Sequence, residues 1–343
     1  MTSSDSQVFL SSSPHFTAGS STQRIMGTVL ISLIPECVCA VVVFGLHALV
    51  TLFCSVAGCV CFEALFQKVT KKPIRVFDLS AAVTGVLLAL SVTSMVSPWM
   101  VLVGAFVAVV VGKGLFGGLG QNTFNPALTG RGFMVLSFGS AMNTYFSPNS
   151  GVSPWKWNFS SSGVDALSSA TFLGSAKNGN LISQNEILSY LIGNRAGCMG
   201  ETSVILILIS FLFLLLTKTI DFRAPCAMVL TVVCASFLYA LAKFNSSQEI
   251  ALYVLQSVLT GGLLYGATFM VTDYATSPVV PYGRVIFGAG CGLITFLIRT
   301  FGSYPEGVMF SILIMNAIVP FLNNVTGRKY GYGKRAGRAK DEL

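Results

Sequence analysis

Two stretches of this chain hold residue types suited to ligand chemistry. The first is Gly112-Lys113-Gly114-Leu115-Phe116-Gly117-Gly118-Leu119-Gly120-Gln121-Asn122-Thr123-Phe124-Asn125-Pro126-Ala127-Leu128-Thr129-Gly130-Arg131-Gly132. Glycine at that density lets backbone turn sharply or approach a ligand closely. Asn125 followed by Pro126 predicts a helix start, with Asn as the cap and Pro at the first helical position. Free N–H groups at such a start can face an anion or a polar ring. Lys113 and Arg131 are expected to add positive charge at the inner membrane boundary. The plainer account of the stretch is helix packing through small residues with two topology-setting cations. The second stretch is Asp165-Ala166-Leu167-Ser168-Ser169-Ala170-Thr171. Taken alone it reads as a capped helix start that also presents hydroxyls. Glu36, His47 and Asp273 are isolated ionisable residues in or beside apolar runs. Such residues are costly in a bilayer and are functional hypotheses by default. Glu36 and Asp273 are therefore ion-path candidates, and Asp273 is expected to pair with Arg284.

The elements that position these residues follow from composition. Of 343 residues 53% are hydrophobic and 10% charged, against roughly 25% charged in an ordinary soluble domain. That excludes a soluble enzyme, a disordered chain and a disulfide-stapled secreted domain. At about 20 apolar residues per crossing, the chain accommodates ten spans. They are placed at about 25–45, 47–66, 79–96, 100–115, 130–147, 202–217, 224–242, 250–272, 285–301 and 306–323. With the basic cluster Lys68, Lys71, Lys72 and Arg75 in the cytoplasm, 16 basic residues fall inside and 5 outside. The positive-inside bias thus favours ten spans with both termini cytoplasmic. The expected organisation is a mobile cytoplasmic tail (1–23), a first five-helix half (24–147), an outer loop (148–201), a second half (202–323) and a basic tail (324–343). Two five-helix halves have opposite orientations, the arrangement of inverted-repeat transporters. Asn125-Pro126-Ala127 and Asn316-Ala317-Ile318 are loose counterparts in the two halves.

Several patterns carry no function. The nine cysteines show no CxxC, and most lie in apolar runs, so no metal or cluster ligand set is expected. The terminal Lys340-Asp341-Glu342-Leu343 resembles a lumenal retention signal, but the charge bias puts it in the cytosol. Asn158-Phe159-Ser160 and Asn245-Ser246-Ser247 are short sequons of a kind common by chance. The net charge of +8 is explained by topology rather than by nucleic acid.

Taken together, Phe77–Gly85, the Gly112–Gly132 stretch, Asp165–Thr171, and Arg284–Gly288 running into Arg299–Gly307 resemble the D subunit of the Rnf-type ion-translocating oxidoreductase complex. They resemble more distantly the B subunit of the sodium-pumping NADH:quinone reductase. The resemblance implies a flavoprotein membrane subunit of a translocase, in a bacterial or archaeal cytoplasmic membrane, that couples ferredoxin/NAD oxidoreduction to Na+ or H+ movement. It implies covalent FMN on Thr171 through a phosphoester, with Asp165, Ser168, Ser169 and Ala170 completing the attachment segment. Serine stands at Ser169 where glycine is commoner. A noncovalent riboflavin is implied nearer the cytoplasmic face, with Gly117, Gly118, Asn122 and Asn125 as its expected surroundings. The implied partners are the A, B, C, E and G subunits, notably the FMN-bearing G subunit, with a flavin transferase for maturation. The rival reading is a small-solute channel or permease.

Overall fold

The computed structural model describes residues 21–146, 187–193, 195–302, 304 and 306–326. Among them every regular element is helical and no strand forms. The principal helices are α1 (Thr22–Phe44), α2 (Leu46–Val69), α3 (Ser80–Ser91), α4 (Pro98–Phe106), α5 (Pro126–Ser137), α6 (Val204–Leu216), α7 (Arg223–Lys243), α8 (Ser247–Leu259), α9 (Pro281–Phe301) and α10 (Val308–Thr326). α4 continues as a π-helix over Val107–Gly114, and a second π-helix follows α8 at Gly266–Met270. The expected tails and most of the outer loop, with Asp165, Ser168, Ser169, Ala170 and Thr171, lie outside the described residues.

Five helices (α1, α2, α7, α9 and α10) are long and apolar enough to cross a bilayer. A sixth crossing forms if α8 and Leu263–Met270, bent by 52° at Thr260–Gly262, are taken as one span. α3, Pro98–Gly114 and α6 are apolar but shorter. The chain is thus a multi-pass, all-helical membrane protein. The fifth expected span, 130–147, differs most from the structure. α5 begins at Pro126 and ends at Ser137, followed only by the single turn Gly139–Met142. Arg131, the one charged residue of that stretch, is 7% exposed and turned into the protein.

Small residues let the helices meet closely. On α9, a Cβ at Gly288 would fall on the Ala224 carbonyl oxygen, and one at Gly292 would lie 2.5 Å from that of Met228. Both contacts advance by four residues in the same direction, so α7 and α9 run parallel. At their shared starting end Asp221 accepts from Arg284 at 2.7 Å and from Arg223 at 3.4 Å. Arg284 is therefore committed to Asp221 rather than to Asp273. α1 meets α6 where the Ser210 hydroxyl donates to the Ser32 carbonyl at 2.7 Å.

The interruptions in the helices are where segments distant in sequence meet. The peptide between α3 and α4 is buried at Val92, Thr93, Ser94 and Val96, and backbone at that depth must find partners within the protein. The Val92 carbonyl accepts from Met199 N–H at 3.1 Å. Asn125 caps α5 through Leu128 N–H at 3.3 Å and sends its own amide to the Met270 carbonyl at 3.4 Å, across 145 residues. Asn316, oriented so that both ends of its amide are satisfied, accepts from Asn125 N–H and donates to the Thr276 carbonyl, each at 3.2 Å.

Candidate functional site

A cavity of about 750 Å³ lies between α1, α3, the Gly-rich turn, the start of α5 and the segment after the second π-helix. The turn that closes it depends on positive φ at Gly117 (116°), Gly118 (109°) and Gly120 (85°), which only glycine adopts without strain. It is held by Gly118 N–H to the Lys113 carbonyl at 3.1 Å and Gly120 N–H to Asn122 Oδ1 at 3.3 Å. The Asn122 amide donates onward to the Phe124 carbonyl at 3.1 Å. Asn122 and Asn125 are 4% and 2% exposed and both line the cavity.

Asp273 lines the same cavity. Its carboxylate accepts from Ala275 N–H and from the Thr276 hydroxyl, both at 3.1 Å, so the loop's own backbone and hydroxyl take the place of the expected arginine partner. Gly117 and Gly118 face elsewhere. They line a second cavity of about 1280 Å³, together with Thr22, Gln67, Lys72 and Arg75. The four expected riboflavin neighbours are thus divided between two cavities, asparagines on one side and glycines on the other.

Lys113 lines both cavities. Its ammonium donates to Glu63 Oε1 at 2.7 Å and to Ser80 Oγ at 2.6 Å. Ser80 in turn donates from its hydroxyl and its N–H to Asp78 Oδ1, at 2.6 and 2.9 Å. The Lys113 and Glu63 side chains are 3% and 7% exposed, and Glu63 Oε2 has no partner. A buried cation fixed between two compartments can hold an anionic or carbonyl group in either. The sequence showed Lys113 but not Glu63, whose partner lies 50 residues away and whose spacing carries no local signal.

The structure also separates the two cations expected at the inner boundary. Arg131 donates to Glu306 Oε2 at 2.5 Å and to Cys198 Sγ at 3.6 Å. Around them Arg195 donates to the Glu201 and Leu259 carbonyls, while Arg299 donates to those of Ser257 and Thr260. The sequence reading puts Arg195 and Arg299 on the outer side and Arg131 on the inner; the structure gathers all three around one cluster, so that division among them does not hold. The partners of Arg131 come from segments 67 and 175 residues away, beyond the reach of a loop-by-loop charge count. Cys198 Sγ and one carboxylate oxygen from each of Glu201 and Glu306 lie within 4.8 Å of one another. Three arginines against two carboxylates leave the cluster net positive, which makes it a structural brace rather than a cation site. Glu36 sits apart on α1, 3% exposed, with neither carboxylate oxygen in a hydrogen bond of normal geometry.

The cavity's fit to a flavin ring can be judged from its walls. Val83, Leu87, Leu119, Phe269 and Tyr274 offer apolar and aromatic surface, and Lys113, Asn122, Asn125 and Asp273 are polar groups converging on it. An amphipathic tricyclic ring with acceptors along one edge suits such a lining.

The chain was compared with known proteins. Residues 9–331 match the NQR2, RnfD, RnfE family. The D subunit of the Na(+)-translocating ferredoxin:NAD(+) oxidoreductase complex of Acetobacterium woodii is 38% identical, over 96% of this chain and 98% of the relative. Its counterpart in the proton-translocating complex of Clostridium ljungdahlii is 37% identical, over 92% and 94%. The D subunit of the ion-translocating oxidoreductase complex of Actinobacillus succinogenes is 34% identical, over 94% and 98%. With a family match that takes in the asparagine junction and the Lys113 site and runs over nearly the whole length, this chain belongs to the NQR2, RnfD, RnfE family.

Proposed function

We propose that the chain is the D subunit of an Rnf-type ion-translocating ferredoxin:NAD oxidoreductase complex in a bacterial or archaeal cytoplasmic membrane. The observation that carries this reading is the near-end-to-end similarity to relatives that bear that name. Relatives named for sodium and for protons match almost equally well, so the coupling ion is not a property of overall similarity. The ten-crossing arrangement, with five-plus-five inverted halves and both termini inside, belongs to the same proposal. It rests on the positive-inside charge bias of the sequence.

Two flavins complete the proposal. Thr171, at the end of the segment Asp165, Ser168, Ser169 and Ala170, would carry FMN on its hydroxyl as a phosphoester. Riboflavin would occupy the cavity beside Asn122, Asn125 and Asp273. When bound, a flavin supplies the redox chemistry, and the protein supplies position and electrostatics. Lys113 would hold a fixed positive charge beside the ring, kept there by Glu63 and Ser80. The apolar walls would exclude water from its face. The FMN-bearing G subunit, the remaining A, B, C and E subunits, and a flavin transferase are the partners this reading requires.

The test is direct. On a denaturing gel the protein from a host with the transferase should retain flavin fluorescence, and Thr171→Ala should lose it. The tryptic peptide from Trp157 to Lys177 should gain the mass of FMN less one water. A bare peptide in an active, fully assembled complex would remove the covalent flavin from the proposal and leave the family assignment intact.

A further inference from the structure

A third cavity, of about 750 Å³, opens between α7, α8 and α9. It is remote from the Lys113 site. Thr219 and Ile220, just before α7, line the first cavity, whereas this one lies at the far end of α7, which at 21 residues is about 30 Å long. The rings of Tyr239, Tyr253 and Phe296 form its apolar wall, and its charged lining consists of Lys243 and Arg299 with no carboxylate.

Arg299 is 9% exposed. Nη1 donates to the Ser257 carbonyl at 2.7 Å and Nη2 to that of Thr260 at 3.2 Å, which satisfies backbone freed where α8 breaks. The Nε donor is buried with no acceptor. Glu306 and Glu201 act on the guanidinium electrostatically but do not line the cavity. Lys243 is exposed, its ammonium 5.6 Å from the Tyr239 ring centroid and 5.7 Å from that of Phe244. Both cations occupy the last turn of their helices, where they favourably meet the helix dipoles. Helix capping accounts for that placement and for two of the Arg299 donors. It does not account for a cavity whose charged lining is cationic alone.

Two further facts define the missing occupant. The ends of bilayer-spanning helices lie at headgroup depth, so the cations are where lipid phosphates reside. Below them Leu238, Leu241 and Leu297 are between 45% and 66% exposed, an apolar surface along which an acyl chain can lie. We propose that this cavity seats the phosphate of an anionic membrane phospholipid. Lys243 Nζ donates to the phosphate oxygens, the buried Arg299 guanidinium adds its positive charge from the cavity wall, and the acyl chains run down the exposed faces of α7 and α9.

The test uses the assembled complex in detergent, depleted of lipid and then given a photoactivatable phosphatidylglycerol, with the labelled peptides mapped by mass spectrometry. Label is expected on the peptides holding Tyr239–Lys243 and Tyr253–Thr260. It should fall at least fivefold in Lys243→Gln and further in Arg299→Gln. Unlabelled phosphatidylglycerol should compete, while phosphatidylcholine and inorganic phosphate should not. Labelling unchanged in both variants overturns the proposal. So does equal competition by phosphatidylcholine, which would mean an apolar cleft indifferent to charge, or by inorganic phosphate, which would mean a free-anion site. Because Arg299 also braces α8, assembly is checked by size exclusion. If Arg299→Gln does not assemble, the surface variant Lys243→Gln decides alone.

Discussion

Replacing Glu63 by Gln would expose how much of the inner site depends on one buried ion pair. The Lys113 ammonium and Glu63 Oε1 are 2.7 Å apart with almost no solvent contact. At that distance, with an effective dielectric near 20, their attraction is about 6 kcal/mol before desolvation is subtracted. Removing one partner of such a pair typically costs about 3–5 kcal/mol, because the survivor is left charged and buried. Ser80 Oγ stays within reach of the ammonium, so the lower end, about 3 kcal/mol, is expected for Glu63→Gln. Lys113→Met should lose a similar amount by stranding the carboxylate. The double variant should recover most of the loss, since it leaves no buried charge without a partner. The assay is equilibrium unfolding of the purified chain in mixed micelles for wild type, both singles and the double, read as a double-mutant cycle. Losses below about 1 kcal/mol, typical of exposed pairs, would refute the reasoning. A double variant as unstable as the sum of the singles would do so too.

Other outcomes follow from the junction, the helix contacts and the surface pair. Asn125→Asp should keep the cap on α5 but lose the donor to Met270, whereas Asn125→Ala should lose both and cost at least the roughly 1 kcal/mol of a cap. An Asn125→Asp variant as stable as wild type in the same unfolding assay would contradict the bridging role. Gly288→Leu should prevent the close approach of α7 and α9 and abolish assembly in size-exclusion profiles, because its first side-chain carbon already meets the Ala224 carbonyl. Asp221 lies outside the spans. Burial opposes its charge, but Arg223 N–H, Arg284 and the Arg223 charge outweigh it and hold the carboxyl below the ordinary value. Its contribution is thus present above about pH 4, the unfolded aspartate range, and is lost as acid protonates the folded form. Asp221→Asn should remove that acid-sensitive portion. The pair is partly exposed, so the loss should stay within about 1 kcal/mol, measured by melting at pH 3 against pH 7.

The sequence exposed what local periodicity and local charge encode. The long apolar helices begin and end within a few residues of the expected spans: α1 and α2 for 25–45 and 47–66, and α7 for 224–242. The Asn125-Pro126 start is legible because a cap is a short-range device. α5 was displaced because its length is governed by what Arg131 meets across the fold, and hydropathy does not contain that. The same limit hid Glu63 from Lys113 and Glu306 from Arg131. It also misdirected Asp273, which bonds to its own loop three residues on while Arg284 turns to Asp221. For the inner cavity, residue types pointed to Asn122 and Asn125. The divergence of Gly117 and Gly118 into a separate cavity required the actual path of the turn.

The paired asparagines at the centre have a consequence for motion. Asn125 and Asn316 tie the start of one helix, the middle of another and two stretches of irregular backbone into a single knot remote from water. Slippage of any one strand of that knot would strand several amide groups at once in hydrocarbon. Intermediate positions are therefore steeply disfavoured, and any relative displacement of the two halves should snap between a few discrete settings instead of gliding, as a ratchet does.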